Sequence, residues 1–88
     1  MARFDAAMDH GVSAEFASSG DALFQLGLRY STGREVEPDL VVAHKWFNLA
    51  AVRGNEAAKE YRSEIARELS RDDVAKAQRL AREWLRQH

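Results

Sequence analysis

Apolar residues return every three or four positions along most of this chain, and glycine, proline or a capping residue breaks the repeat at intervals. Ala22, Leu23, Leu26 and Tyr30 share one side of a segment that stops at Gly33, which predicts a first helix. A polar connection from Gly33 to Glu37 leads to Pro38 and Asp39 in the first turn of a second helix. Proline fits there because its missing donor would be unpaired anyway, and Asp39 favours the positive end of the helix dipole. This helix should run to about Arg53, with Gly54 as the left-handed residue that ends it and Asn55 as the cap of the next. Ala57, Ala58, Tyr61, Ile65 and Leu69 form the stripe of a third helix. Ser70 with Asp73 marks a new helix start, and Val74, Ala77, Leu80, Ala81, Trp84 and Leu85 give the fourth its apolar face. Nearer the start, Phe4, Met8, Val12 and Phe16 recur at four-residue spacing between Arg3 and Phe16, a helix signal weakened by Gly11. No useful length alternates with a period of two, so the expected class is all-α.

The second helix stands apart from its neighbours. Val42, Ala43, Trp46, Phe47, Leu49 and Ala50 cover more than half of its circumference and leave His44, Lys45 and Asn48 as a polar strip. Such a helix must be covered on two sides, and the narrow stripes of the third and fourth helices suit outer positions. Gly27 is a poor helix former, worth about 1 kcal/mol less than alanine, yet it sits beside Leu26 and Tyr30. A missing side chain there lets another backbone approach. Ala43, Ala50, Ala51, Gly54, Ala57 and Ala58 are small enough to do the same from the other side, with Trp46 and Phe47 as fillers of a close helix joint. Aromatics at helical spacing read as core here, rather than as a ligand-stacking platform.

Ala22, Leu26-Gly27, Tyr30, Gly33, Val36, Asp39, Ala43, Trp46, Ala50-Ala51, Gly54 and Ala58 together resemble the Sel-one-like repeat, a relative of the tetratricopeptide repeat. The resemblance covers Ala22 to about Ala58, one complete repeat over residues 20–54 and the start of the next from Asn55, and implies antiparallel helix pairs stacked into a short right-handed α-α superhelix. Two positions depart from the pattern. Glu35 stands where the family usually places a glycine before the loop valine, and Arg62, Ser63 and Ala66 replace the second copy of Leu26, Gly27 and Tyr30. The array is therefore expected to end within residues 55–88, as a partial repeat followed by a capping helix, with residues 1–19 as an N-terminal segment. The resemblance also implies a protein-interaction module or adaptor with no catalytic residues.

Composition narrows the rest. An 88-residue chain is one small domain whose core is only marginally sufficient, so extra burial against a partner or a second copy is expected. A formal charge of -1, 31% charged and 45% hydrophobic residues are those of an ordinary globular domain, which argues against bulk-charge binding of nucleic acid. With no cysteine there is no disulfide, thiolate zinc site or cysteine nucleophile. Lacking a long apolar run, the sequence suggests neither a secretory signal nor a membrane span, and the expected compartment is the cytoplasm.

Candidate chemistry is sparse. His10, His44 and His88 are too far apart in sequence for a helical metal motif. Asp5, Asp9 and His10 read as a solvated acidic turn, and Glu60, Glu64 and Glu68 as a charged face, because di-metal bundles add a histidine three residues from a glutamate. No Gly-x-Ser-x-Gly elbow, phosphate loop or dinucleotide fingerprint is present. The reading is thus non-catalytic, without metal or cofactor. Phe24, Leu28 and Tyr30 are the candidate partner-binding residues, Phe24 and Leu28 pointing to the side where a preceding repeat would sit. The chain's own start, a partner helix or a homodimer could cover them. Leu26, Gly27, Trp46, Ala50, Gly54 and Ala58 are expected to be structural. The alternatives are nucleic-acid or acidic-partner binding through Lys76, Arg79, Arg82 and Arg86 on the last helix, where Glu83 interrupts the surface and Asp72 can pair with Lys76, and, weakest, a small helical metal-dependent enzyme.

Overall fold

The computed structural model describes residues 18–88; the helix expected over Arg3 to Phe16 lies outside the described residues. Four α-helices follow one another: α1 (Gly20–Thr32), α2 (Leu40–Val52), α3 (Ala57–Glu68) and α4 (Arg71–Gln87), with no strand among the described residues.

Each boundary has a local chemical cause. Ser19 opens α1 by accepting from the Ala22 amide at 3.1 Å. At its other end Gly33 takes φ 78°, and the Gly33 and Arg34 amides both donate to the Arg29 carbonyl, which closes the last turn. The Asp39 amide then donates to the Tyr30 carbonyl at 3.0 Å, folding the loop back so that α2 returns along α1. Asp39 is the residue before α2 rather than part of its first turn, and its carboxylate accepts from the Val42 amide at 3.1 Å. Pro38 sits one residue earlier still, packed beside Gly33. After α2, Gly54 takes φ 99°, and the Asn55 and Gly54 amides donate back to the Ala50 and Ala51 carbonyls. Asn55 caps α3 by accepting from the Ala58 amide at 2.9 Å, and Ser70 does the same for α4 through Asp73 at 3.0 Å.

Helix α2 is the hub, packing against α1, α3 and α4 in turn. Its wide apolar arc requires this arrangement, and the narrower stripes of α3 and α4 leave those helices outside. Leu23, Ala43, Phe47, Leu49, Ala50 and Ala58 are fully enclosed, with Ile65 and Ala81 completing the core. Gly27 lies directly beneath the Phe47 ring: a Cβ there would stand 2.5 Å from two ring carbons. The small residue and its filler therefore meet, but the filler is the phenyl ring of Phe47 and not the indole of Trp46. Trp46 is half-buried on another side of α2, edge-on to Trp84 of α4 at 5.9 Å between ring centres.

Three expectations about small and polar residues are corrected. Gly54 is exposed with nothing within 4 Å of a would-be Cβ, and Ala57 is exposed, so neither belongs to the joint; Gly54 is needed for its positive φ alone. The tightest meeting of backbones is at Gly20, where a Cβ would fall 2.8 Å from the Arg53 carbonyl oxygen and 3.2 Å from that of Ala50. And α2 has no solvent-facing polar strip: His44 is 3% exposed, while Lys45 and Asn48 are half-buried. Arg62 reaches from α3 to donate to the Asn48 side chain at 2.8 Å, and the Lys45 ammonium lies over the Trp46 ring at 4.2 Å, so both polar side chains are partly covered.

Candidate interaction face

Phe24 on α1, Phe47 on α2 and Tyr61 on α3 form a triangle of rings whose centres are 5.6, 5.3 and 5.1 Å apart. Phe47 supplies its fully buried floor. Phe24 and Tyr61 meet edge to face at 86°, an arrangement in which the positive rim of one ring faces the negative face of the other. Tyr61 retains 42% of its surface exposed, and Leu28, one helical turn beyond Phe24, is half-buried beside it on the same side of α1. The result is an apolar strip shared between α1 and α3, open to solvent along Tyr61.

Phe24 therefore turns toward the following helix instead of away from it, because the ring of Tyr61 offers it cover. Tyr30 does not join this strip. Six residues separate it from Phe24, which places it about 120° round the helix, where it packs half-buried against the core. Of the three residues expected to bind a partner, the fold brings Phe24 and Leu28 together and holds Tyr30 apart. Tyr61, read from spacing as a buried stripe residue, is the member that sequence reasoning missed. Its signal was the polar run around it, from Lys59 to Glu64, which announces an outer helix with little cover. The structural residues fall as follows: Gly27, Ala50 and Ala58 are buried, Leu26 and Trp46 half-buried, and Gly54 exposed.

A second face is formed where α2 meets α4. The Trp84 ring stacks on His88 at 4.2 Å and 9°, takes Trp46 on its edge, and has the Arg53 guanidinium 5.4 Å from its centre. Beyond it Lys76, Arg79, Arg82 and Arg86 are all exposed. The Asp72–Lys76 pair expected from their spacing does not form; the ion pairs among the described residues are Arg29–Glu35 at 4.0 Å and Glu56–Lys59 at 3.3 Å. Exposed long side chains gain little from pairing and lose rotamer freedom by it.

Inside, His44 Nδ1 and Trp46 Nε1 are buried without a hydrogen-bond partner among the described residues. Burial pushes the His44 imidazole below its usual value, and the nearby Arg62 charge pushes the same way. Burial also lowers Lys45, partly opposed by Glu83 of α4. No group of three or more acidic or imidazole side chains among the described residues is gathered closely enough to hold a metal ion. Asp5, Asp9 and His10 lie outside the described residues. Glu60, Glu64 and Glu68 are exposed along α3, and among the described residues no histidine joins them in a metal-binding group. No helix among the described residues is long and apolar enough to cross a membrane. Comparison with protein-family models, curated proteins and solved structures returns no match.

Proposed function

We propose that this chain is a non-catalytic protein-interaction module: a Sel-one-like helix pair, α1 and α2, continued by a partial second pair and closed by α4 as its cap. The observation that carries the reading is the aromatic strip of Phe24, Leu28 and Tyr61, set between the first helices of successive pairs, the side on which stacked helical repeats line their binding surface. The local geometry supports the repeat reading at an unexpected place. Glu35, which stands where the repeat pattern has glycine, is the non-glycine residue among the described ones with positive φ, at 69°. The loop thus keeps a left-handed backbone that glycine would adopt without strain.

A cytoplasmic protein partner presenting an apolar side chain to the strip is the occupant that fits this reading. Affinity capture from the source cells, with the parent chain and with a Leu28→Gln variant and a Phe24→Gln, Leu28→Gln variant, tests it. The expected result is a partner retained by the parent and lost by both variants while the helical circular-dichroism signal persists. Leu28→Gln is the informative arm if the double variant loosens, since Leu28 is no part of the ring triangle. Identical capture by parent and folded variants would refute the assignment of this face.

A further inference from the structure

Two ridges of opposite charge stand on the outer helices, and neither is held in ion pairs among the described residues. On α3, Glu60, Glu64 and Glu68 recur at four-residue intervals and are exposed; on α4, Arg79, Arg82 and Arg86 recur at intervals of three and four and are exposed. None of the six takes part in an ion pair among the described residues. Both helices pack on α2, so their outer ridges are left open to other molecules. The two ridges match in length, about 12 Å for the glutamates and about 10 Å for the arginines at the rise of an α-helix. Each is also bordered by a large exposed apolar side chain: Tyr61, three residues before Glu64, and Leu85, three residues after Arg82 and 38% exposed.

We propose that a second copy of this chain docks here, the arginine ridge of one copy lying along the glutamate ridge of another with Leu85 meeting Tyr61. A second copy is favoured over other occupants because both halves of the contact are present on this one chain, matched in sign, length and apolar border. A net charge of -1 keeps long-range repulsion between copies small. A polyanion would satisfy the arginines but leave the glutamates unpaired, and Asp72 and Glu83 border the arginine side. Single exposed ion pairs are weak, so the contact depends on several acting together with two apolar contacts, and it is sensitive to salt. Unlike surfaces meet, as in heterologous assembly. The contact shares Tyr61 with the interaction face above but uses neither Phe24 nor Leu28, and the charge-reversed variants below leave all three of those residues in place, so the two readings fail separately.

Sedimentation velocity over a concentration series, at low ionic strength and at about 0.5 M salt, reads the association directly. The parent is expected to gain mass with concentration at low salt and to lose that gain in high salt. Two charge-reversed variants, Glu64→Lys with Glu68→Lys and Arg82→Glu with Arg86→Glu, should each associate at least about tenfold more weakly, and an equimolar mixture of the two should recover association. A parent that stays monomeric throughout, or a mixture that fails although both variants keep parental helicity and melting, overturns the proposal. So would generic duplex DNA bound by the parent and released by the arginine reversals in the absence of self-association, which would assign the ridge to a polyanion.

Discussion

Gly27→Ala isolates the close joint between α1 and α2. The added methyl would stand 2.5 Å from Cδ1 and Cε1 of Phe47 and 2.9 Å from Cγ, so the ring must retreat by about 1 Å to reach ordinary van der Waals separation. Phe47 has no surface exposed, and Phe24 and Tyr61 stand against it with ring centres 5.6 and 5.3 Å away, so the retreat displaces packed neighbours. Overpacking of this kind costs about 1–3 kcal/mol, against which alanine's better helix propensity returns about 1 kcal/mol. The fully enclosed ring puts the penalty in the upper part of its range, and the expected net loss is about 1–2 kcal/mol. For a domain of this size each kcal/mol moves the melting midpoint by about 4–8 °C. Thermal unfolding followed by circular dichroism should therefore place Gly27→Ala clearly below the parent, and adding Phe47→Leu should recover part of the difference through coupling of at least about 0.5 kcal/mol. Gly54→Ala is the control. Its methyl meets nothing within 4 Å, so its loss comes from the φ of 99° and should be indifferent to Phe47→Leu. A Gly27→Ala variant that melts above the parent by the full propensity gain would refute the argument.

Two further predictions concern the loop and the buried imidazole. Glu35→Gly should stabilise the domain by about 1 kcal/mol, because a left-handed backbone strains any residue with a Cβ and the Arg29 pair lost with it is long and exposed; a lower melting midpoint would show that the pair outweighs the strain. His44 has its folded-state pKa lowered, so the unfolded chain binds more protons and the stabilising contribution is complete above the ordinary value of 6.5 and is lost as pH falls below it toward the folded value. Arg62 is the cation that disfavours the protonated ring, and Asn48, already engaged with Arg62, is its uncharged neighbour one turn along α2. Melting measured from about pH 8 to pH 5 should fall in the parent and flatten in His44→Leu. An unaltered slope in the variant would place the titrating group elsewhere.

Much of the architecture was legible along the chain because its causes are local. Gly33, Gly54, Asn55 and Ser70 act on amides and carbonyls within a few residues of themselves, so their spacing alone announces where α1 and α2 end and where α3 and α4 begin. The breadth of the apolar arc on α2 likewise states that it must be enclosed by several neighbours, whichever they are. Asp39 shows the limit of this reading: its position marked the helix start, but whether it capped α2 or entered its first turn depended on the backbone angles.

Tertiary structure alone decided which surfaces meet. Periodicity gives the side of a helix on which a residue lies and says nothing of the partner brought to that side. Gly27 therefore announced a close approach, yet only the fold could choose Phe47 over Trp46 to fill it, and Gly20, at a helix start where glycine is unremarkable, proved to be the place where backbone meets backbone because the α2–α3 turn folds onto it. Phe24 turned to Tyr61, and His44 was sealed off by neighbours distant in sequence, for the same reason: enclosure is a property of helices assembled, whereas helix formation and its termination are properties of a few consecutive residues.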